Sequence, residues 1–245
     1  MKHFLKNLAL TVTVAASVTG AANAHRFWIV PSSTVVSGTD QWIAFDASIS
    51  NDLFYPNYYA IDLDTIKATA PDGSTVELVN AHEGRTRSTF EMNIKDEGTY
   101  RIASVVESAR ASYKENGEEK SFMGTIEGLI ASGIPSKNPE EMFVLSRISE
   151  AYITLGAPNN TVLKPTGKGL EFVPVTHPND LFSGEEATFK LTKDGKPIAG
   201  KTIEVVAGNT RYRNDAGTIA VTTTDDGSFK VTWPQAGRYF FKVDT

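Results

Sequence analysis

The sequence predicts an all-β protein: two immunoglobulin-like β-sandwich domains in tandem, with an irregular, partly helical insertion between them. Three observations carry this expectation. Short runs alternate apolar and polar residues with period two, as in Phe90/Met92/Ile94 against Glu91/Asn93/Lys95 and Phe229/Val231/Trp233 against Lys230/Thr232. Turn pairs Asp72-Gly73, Asp194-Gly195 and Asp226-Gly227 punctuate those runs. Both halves close on a polar turn, a Gly and a Tyr two residues later, at Asp96-Glu97-Gly98-Thr99-Tyr100 and Gln235-Ala236-Gly237-Arg238-Tyr239.

Taken in order, residues 1–24 have the layout of a secretory signal peptide. Lys2 and Lys6 precede an apolar stretch from Leu8 to Val18, and Ala22-Asn23-Ala24 supplies small residues for cleavage after Ala24. The apolar stretch is shorter than the roughly 20 residues that span a bilayer, so the processed chain is expected in the periplasm without membrane insertion. Losing Lys2 and Lys6 takes the formal net charge from −5 to −7. A modestly acidic chain with no Arg-rich run lacks the electrostatic footprint of a nucleic-acid or anionic-membrane binder.

Residues 25–107 read as the first sandwich, with alternating runs at Val76/Leu78 and Tyr100/Ile102. Residues 108–165 read as insertion, strand and linker. Alternation fades from Ser108 to Asn138, and Lys114-Glu115-Asn116-Gly117-Glu118-Glu119-Lys120 looks like a solvated excursion. Asn138-Pro139-Glu140-Glu141 has the residues of a helix start, Asn as cap and Pro at the first position. Ile148 to Leu155 then reads as a strand, and Gly156 to Gly169 as a polar linker.

Residues 166–245 read as the second sandwich, with runs at Phe189/Leu191, Ile203/Val205 and Tyr239/Phe241/Val243. The sequence stops at Thr245 straight after an alternating run, so a closing strand is expected to lie beyond it. The chain contains no cysteine, and without disulfides each fold must rest on its apolar core. Domains of about 100 residues bury enough surface for that.

Cleavage after Ala24 would make His25 the first residue, offering an α-amine and an imidazole as two nitrogen donors in one chelate. Metals bind amines and imidazoles in their unprotonated forms, so binding would release protons. Nitrogen donors suit divalent copper, nickel, cobalt or zinc, copper(II) with tetragonal geometry. Phe27, Trp28, Ile29 and Val30 follow at once and should anchor the terminus in a strand; the plainer reading is an unbound histidine at a frayed end. His82, in Asn80-Ala81-His82-Glu83-Gly84, and His177, in Thr176-His177-Pro178-Asn179-Asp180, are the other two histidines of the processed chain. Three histidines, or two with Asp180 or Glu83, would complete a metal site if the loops converge. The alternative for His177 is a hydrogen bond that merely fixes a turn, and for His82 a solvated loop.

Catalytic motifs are missing: there is no Gly-x-Ser-x-Gly elbow, P-loop or dinucleotide fingerprint, and the chain is not expected to be an enzyme. Asp62/Asp64 and Asp225/Asp226 read as turn formers and not as a glycosidase pair. Tyr55, Tyr58 and Tyr59 around Pro56-Asn57 could form a carbohydrate platform or a packed aromatic loop. Tyr100 and Tyr239 read as corner tyrosines whose hydroxyls return to backbone.

Several stretches together resemble a family of periplasmic proteins of unknown function often described as periplasmic components of cobalt or nickel transport. They are Ala24-His25-Arg26-Phe27-Trp28, Ala70-Pro71-Asp72-Gly73, Gly98-Thr99-Tyr100-Arg101-Ile102-Ala103 and Val173-Pro174-Val175-Thr176-His177-Pro178-Asn179-Asp180-Leu181. Asp194-Gly195-Lys196-Pro197-Ile198-Ala199-Gly200, Thr210-Arg211-Tyr212-Arg213 and Trp233-Pro234-Gln235-Ala236-Gly237-Arg238-Tyr239 extend the likeness into the second half. The resemblance implies a secreted β-sandwich protein with a histidine at its processed terminus, handling a divalent metal for an uptake transporter or outer-membrane receptor. The expected function is therefore metal binding or delivery, with His25, His177 and His82 as ligands. Two rivals are a non-metal immunoglobulin-like binding or adhesion module and a copper histidine-brace oxidative enzyme.

Overall fold

In a computed structural model, residues 25–210, 213 and 217–245 are described; the expected signal peptide and residues Arg211 and Tyr212 lie outside them. Strands make up 52% of the chain and helix 7%, in several sheets with no barrel, which places the protein in the all-β sandwich class.

The first sandwich packs two sheets face to face. One holds strands Arg26–Pro31, Gln41–Ser50, Ser88–Ile94 and Val79–Glu83 in that spatial order. The other runs Val35–Val36, Glu141–Leu155, Gly98–Glu115, Ile66–Thr69 and Thr75–Val76. Alternation decides which side chains meet: Ile43, Phe45, Phe90, Met92 and Ile94 from the first sheet bury against Ile66, Tyr100, Ile102, Ile153 and Leu155 from the second. Phe45 and Phe90, cross-strand partners, stack at 4.6 Å.

The second sandwich pairs the sheet of Leu170–Pro174, Glu186–Lys193, Lys196–Pro197 and Ser228–Thr232 with that of Ile219–Thr222, Thr202–Ala207 and Tyr239–Lys242. Phe189, Leu191, Ile203, Val205, Phe229, Val231 and Trp233 fill its core. Both corner tyrosines form. The buried Tyr100 donates its hydroxyl to the Asp96 carbonyl at 2.9 Å and accepts the Asp96 N–H, while Tyr239 donates to the Gln235 carbonyl at 2.8 Å.

A separate apolar cluster joins the two sandwiches. The strand Arg26–Pro31 is covered on both sides: Ile29 enters the first core, whereas Trp28 turns the other way to meet Leu53 and Val206, flanked by Val30, Phe54 and Phe240. Trp28 donates its indole N–H to Ser50 Oγ at 2.6 Å, so its polar edge is satisfied on burial. Arg238 adds a bond from the second sandwich to the Pro31 carbonyl at 2.6 Å.

The insertion is partly helical, but its regular structure differs from the expectation. Strand Gly98–Glu115 continues through Ser108 for 18 residues, turns at Asn116-Gly117, and pairs back through Glu118–Gly124. Both turn residues have positive φ, 54° and 84°, the backbone of a tight hairpin, so the charged run is a hairpin tip and not an irregular excursion. The helix lies over Ile126–Ala131, capped by Thr125 Oγ1 accepting the Gly128 N–H, and Leu129 packs on Ala109 and Ala111. No helix starts at Asn138; that residue ends a 3-10 turn, Ile134–Lys137, in a left-handed conformation that suits Asn. Together these elements form an arm projecting from the second sheet, its strands continuous with the sandwich.

Candidate functional site

His25 sits at the exposed start of the first strand. Its ring lies flat on Tyr58, centroids 3.9 Å apart and planes 17° off parallel, and Tyr59 meets Tyr58 edge-on at 4.4 Å. The next residue is already in register: Arg26 faces Ser50, and its guanidinium donates to the Asn51 carbonyl at 2.9 Å. Asn57 holds the loop that presents Tyr58, accepting the Asn51 N–H at 3.0 Å and donating to Asp52 Oδ2 at 3.0 Å. Tyr55, Tyr58 and Tyr59 are 40%, 42% and 56% exposed, so this aromatic loop faces solvent and is not packed away.

His177 is differently placed, in the polar seam between the sandwiches. Its Nδ1 accepts the Asn179 N–H at 3.1 Å, which leaves the proton on Nε2 to reach Thr99 Oγ1 at 2.9 Å. Thr99 and Thr154 are buried, their hydroxyl oxygens 3.1 Å apart, and Asn179 Nδ2 donates to both Thr154 Oγ1 and the Thr34 carbonyl. Burial lowers the His177 pKa below the usual histidine value, against smaller raising effects from a backbone bond at Asn159 and the Asp180 charge. A neutral imidazole with both nitrogens engaged is a structural latch.

His82 stands on the exposed edge strand Val79–Glu83, opposite Thr89. Glu83 Oε2 accepts the Leu63 N–H at 3.4 Å.

The three histidines do not converge. Among the described residues, no three His, Cys, Asp or Glu side chains are grouped to hold a metal ion. The sheet explains the separation. The row His82–Thr89–Asp46–Val30 puts three strand steps, about 14 Å at the usual spacing, between His82 and the first strand. His177 contacts residues that border Thr34, past the far end of Arg26–Pro31, a strand about 20 Å long at 3.3 Å per residue. By these spacings His25, His82 and His177 stand on three separate parts of the fold.

The carboxylate pairs behave as turn formers. Asp62 accepts the Asp64 N–H at 2.9 Å, and Asp226 accepts from Thr224, Ser228 and Lys190, its pKa lowered first by the Thr224 hydroxyl. A cleft of about 460 Å³ between the sandwiches is lined by Asp46, Phe54, Asn209 and Arg238, among others, and holds none of the three histidines. No helix among the described residues is long and apolar enough to cross a membrane.

Sequence reasoning missed two groups here. Thr99 and Thr154 form the seat of His177, and Arg101 pairs with Glu150, whose Oε2 accepts the Tyr152 hydroxyl at 2.8 Å. Burial and the Glu150 charge push the Tyr152 phenol well above its usual value, so it is a permanent donor that helps hold the carboxylate against Arg101.

The family described as "Domain of unknown function (DUF4198)" matches residues 22–245, so the chain belongs to it. No curated protein matches. Among solved structures, one titled "Marsupial T cell receptor" is similar at 8% identity and a TM-score of 0.21, covering 89% of this chain and 66% of that one. A likeness at that level carries no argument about fold or function.

Proposed function

We propose that this member of the DUF4198 family, once exported to the periplasm and cut after Ala24, binds a divalent transition-metal ion through the amine and imidazole of His25. The observation that carries the reading is the stack of His25 on Tyr58. A terminal residue held by a ring contact, next to a strand anchored at Ser50 and Asn51, keeps its two donors in place instead of fraying. The donor set suits copper(II), nickel(II), cobalt(II) or zinc(II). Copper follows from the nitrogen chelate; nickel or cobalt follows from the resemblance to transport-associated proteins.

Two protein donors leave the rest of the coordination sphere to water or to groups from elsewhere. Such an open site favours hand-over to an uptake transporter or outer-membrane receptor above permanent storage, because a receiving ligand can enter before the first donors leave.

Native mass spectrometry of the processed chain, with each metal in turn, tests the reading. One retained ion is expected, lost in His25→Ala and lost also when one residue is added ahead of His25, since that extension removes the terminal amine from the chelate. His82→Ala and His177→Ala should retain it. Equal retention in the extended chain and in His25→Ala would reject the site.

The exposed tyrosines favour a second reading, a non-metal binding module whose aromatic loop docks glycan or protein. It predicts ligand capture that survives chelator and is lost in Tyr58→Ala and Tyr59→Ala together.

A further inference from the structure

The arm has two edges, and they are built differently. One edge is the strand Glu118–Gly124, opening with Glu118, Glu119 and Lys120, the charged composition by which natural sheets block further pairing. The other is the first half of Glu141–Leu155. Among the described residues, the outer edge of that 15-residue strand is paired only at Thr154 and Leu155, by Val35–Val36. The stretch left bare carries Met142, Phe143 and Val144, which are 50%, 44% and 53% exposed. A long apolar edge with open backbone groups is a template for another strand.

The sequence of the edge says which strand. Glu141-Met142-Phe143-Val144-Leu145-Ser146-Arg147 is complementary to itself when run antiparallel about Val144. In that register Glu141 faces the second copy's Arg147, Phe143 faces its Leu145, and Val144 faces Val144. Side chains of opposite residues share a face, so each end of the pairing gains one ion pair and the centre gains two Phe–Leu contacts. Neither Glu141 nor Arg147 has an ion-pair partner among the described residues, whereas neighbouring Glu140 is held by Lys114 at 2.8 Å. The two charges at the ends of the bare segment are therefore those still available.

We propose that the protein forms a two-fold dimer by edge-to-edge pairing of residues 141–147 from two copies, joining the two arms into one continuous sheet. This surface is separate from the His25 site, and its symmetry is isologous, as closed dimers require.

Sedimentation of the processed chain over a range of concentrations, with charge variants, decides it. The natural chain should show a monomer–dimer equilibrium. Arg147→Glu places Glu opposite Glu at both ends and should weaken dimerisation by about tenfold or more. The double variant Glu141→Arg/Arg147→Glu restores opposite charges and should recover the dimer, which a merely misfolded arm would not do. Circular dichroism and melting temperature equal to those of the natural chain, both read at a concentration where the natural chain is also monomeric, confirm that the arm of the single variant is intact. A monomer at every concentration overturns the proposal, and so does a dimer indifferent to both variants.

Discussion

Thr99 Oγ1 and His177 Nε2 lie 2.9 Å apart and join the first sandwich to the second across 78 residues of chain. The contact belongs to a seam of buried Thr154 and half-buried Asn159 and Asn179, and partial burial favours the neutral imidazole because charging it there would cost desolvation.

That seam makes docking of the sandwiches sensitive to acid. Because the folded pKa of His177 lies below the unfolded value near 6.5, the unfolded chain binds more protons at low pH. The contribution is fully present above pH 6.5 and is lost as pH falls below that value towards the folded pKa. Urea unfolding at pH 7.5 and 5.5 should show a loss of stability in the natural chain that is smaller in His177→Gln, which cannot titrate. His177→Ala should cost about 1–3 kcal/mol at pH 7.5 by leaving the seam's donors and acceptors unpaired. An identical pH dependence in the natural chain and His177→Gln would assign the acid sensitivity to other groups.

In the proposed metal site, Tyr58 should tune His25 without being a ligand. Stacked rings contribute about 0.5–1.5 kcal/mol, so Tyr58→Ala is expected to weaken metal retention at His25 by roughly 2- to 12-fold. Tyr58→Phe keeps the ring and should retain most of the affinity. Competition titration against a colorimetric chelator measures both variants; a loss as large in Tyr58→Phe as in Tyr58→Ala would point to the phenol oxygen as a donor instead.

Much of the fold was legible because its cues are local. Period-two alternation placed Ser88–Ile94 and Ser228–Thr232, and the Gly-x-Tyr pattern placed both tyrosine corners, since each hydroxyl returns only four residues upstream. The arm was hidden by competing signals. Asn116-Gly117 is a strong hairpin pair, but it is embedded in charges that also describe a solvated loop, and the arm half of the strand before it buries only the small Ala109 and Ala111, a weak apolar signal. The run Phe27-Trp28-Ile29-Val30 carried a readable hint of burial on both sides of its strand, yet not the identity of Val206 as the partner. For the site, residue types were visible and positions were not. Nothing local relates His25 to Tyr58 or His177 to Thr99, because those contacts depend on loops closing over long stretches of chain.

Gly98 offers a test of how tightly the seam is built. It opens the strand that carries Thr99, with φ of 133°, and a Cβ there would fall 2.6 Å from Pro71 Cβ and 2.7 Å from Asn159 Nδ2. Asn159 cannot retreat cheaply, because its Oδ1 accepts the Thr99 N–H at 3.2 Å and its own N–H points at Thr99 Oγ1. Pro71 is fixed in a ring and a turn, so the backbone of the corner must shift and carry Thr99 with it. Gly98→Ala should therefore cost more than backbone strain alone, about 2–4 kcal/mol, by combining an unfavourable φ with overpacking. If the damage travels through Thr99, the effects of Gly98→Ala and His177→Ala will be less than additive in a double-mutant cycle, as expected for residues that share a network. Strict additivity would confine the glycine's role to the Pro71 corner and leave His177 seated independently.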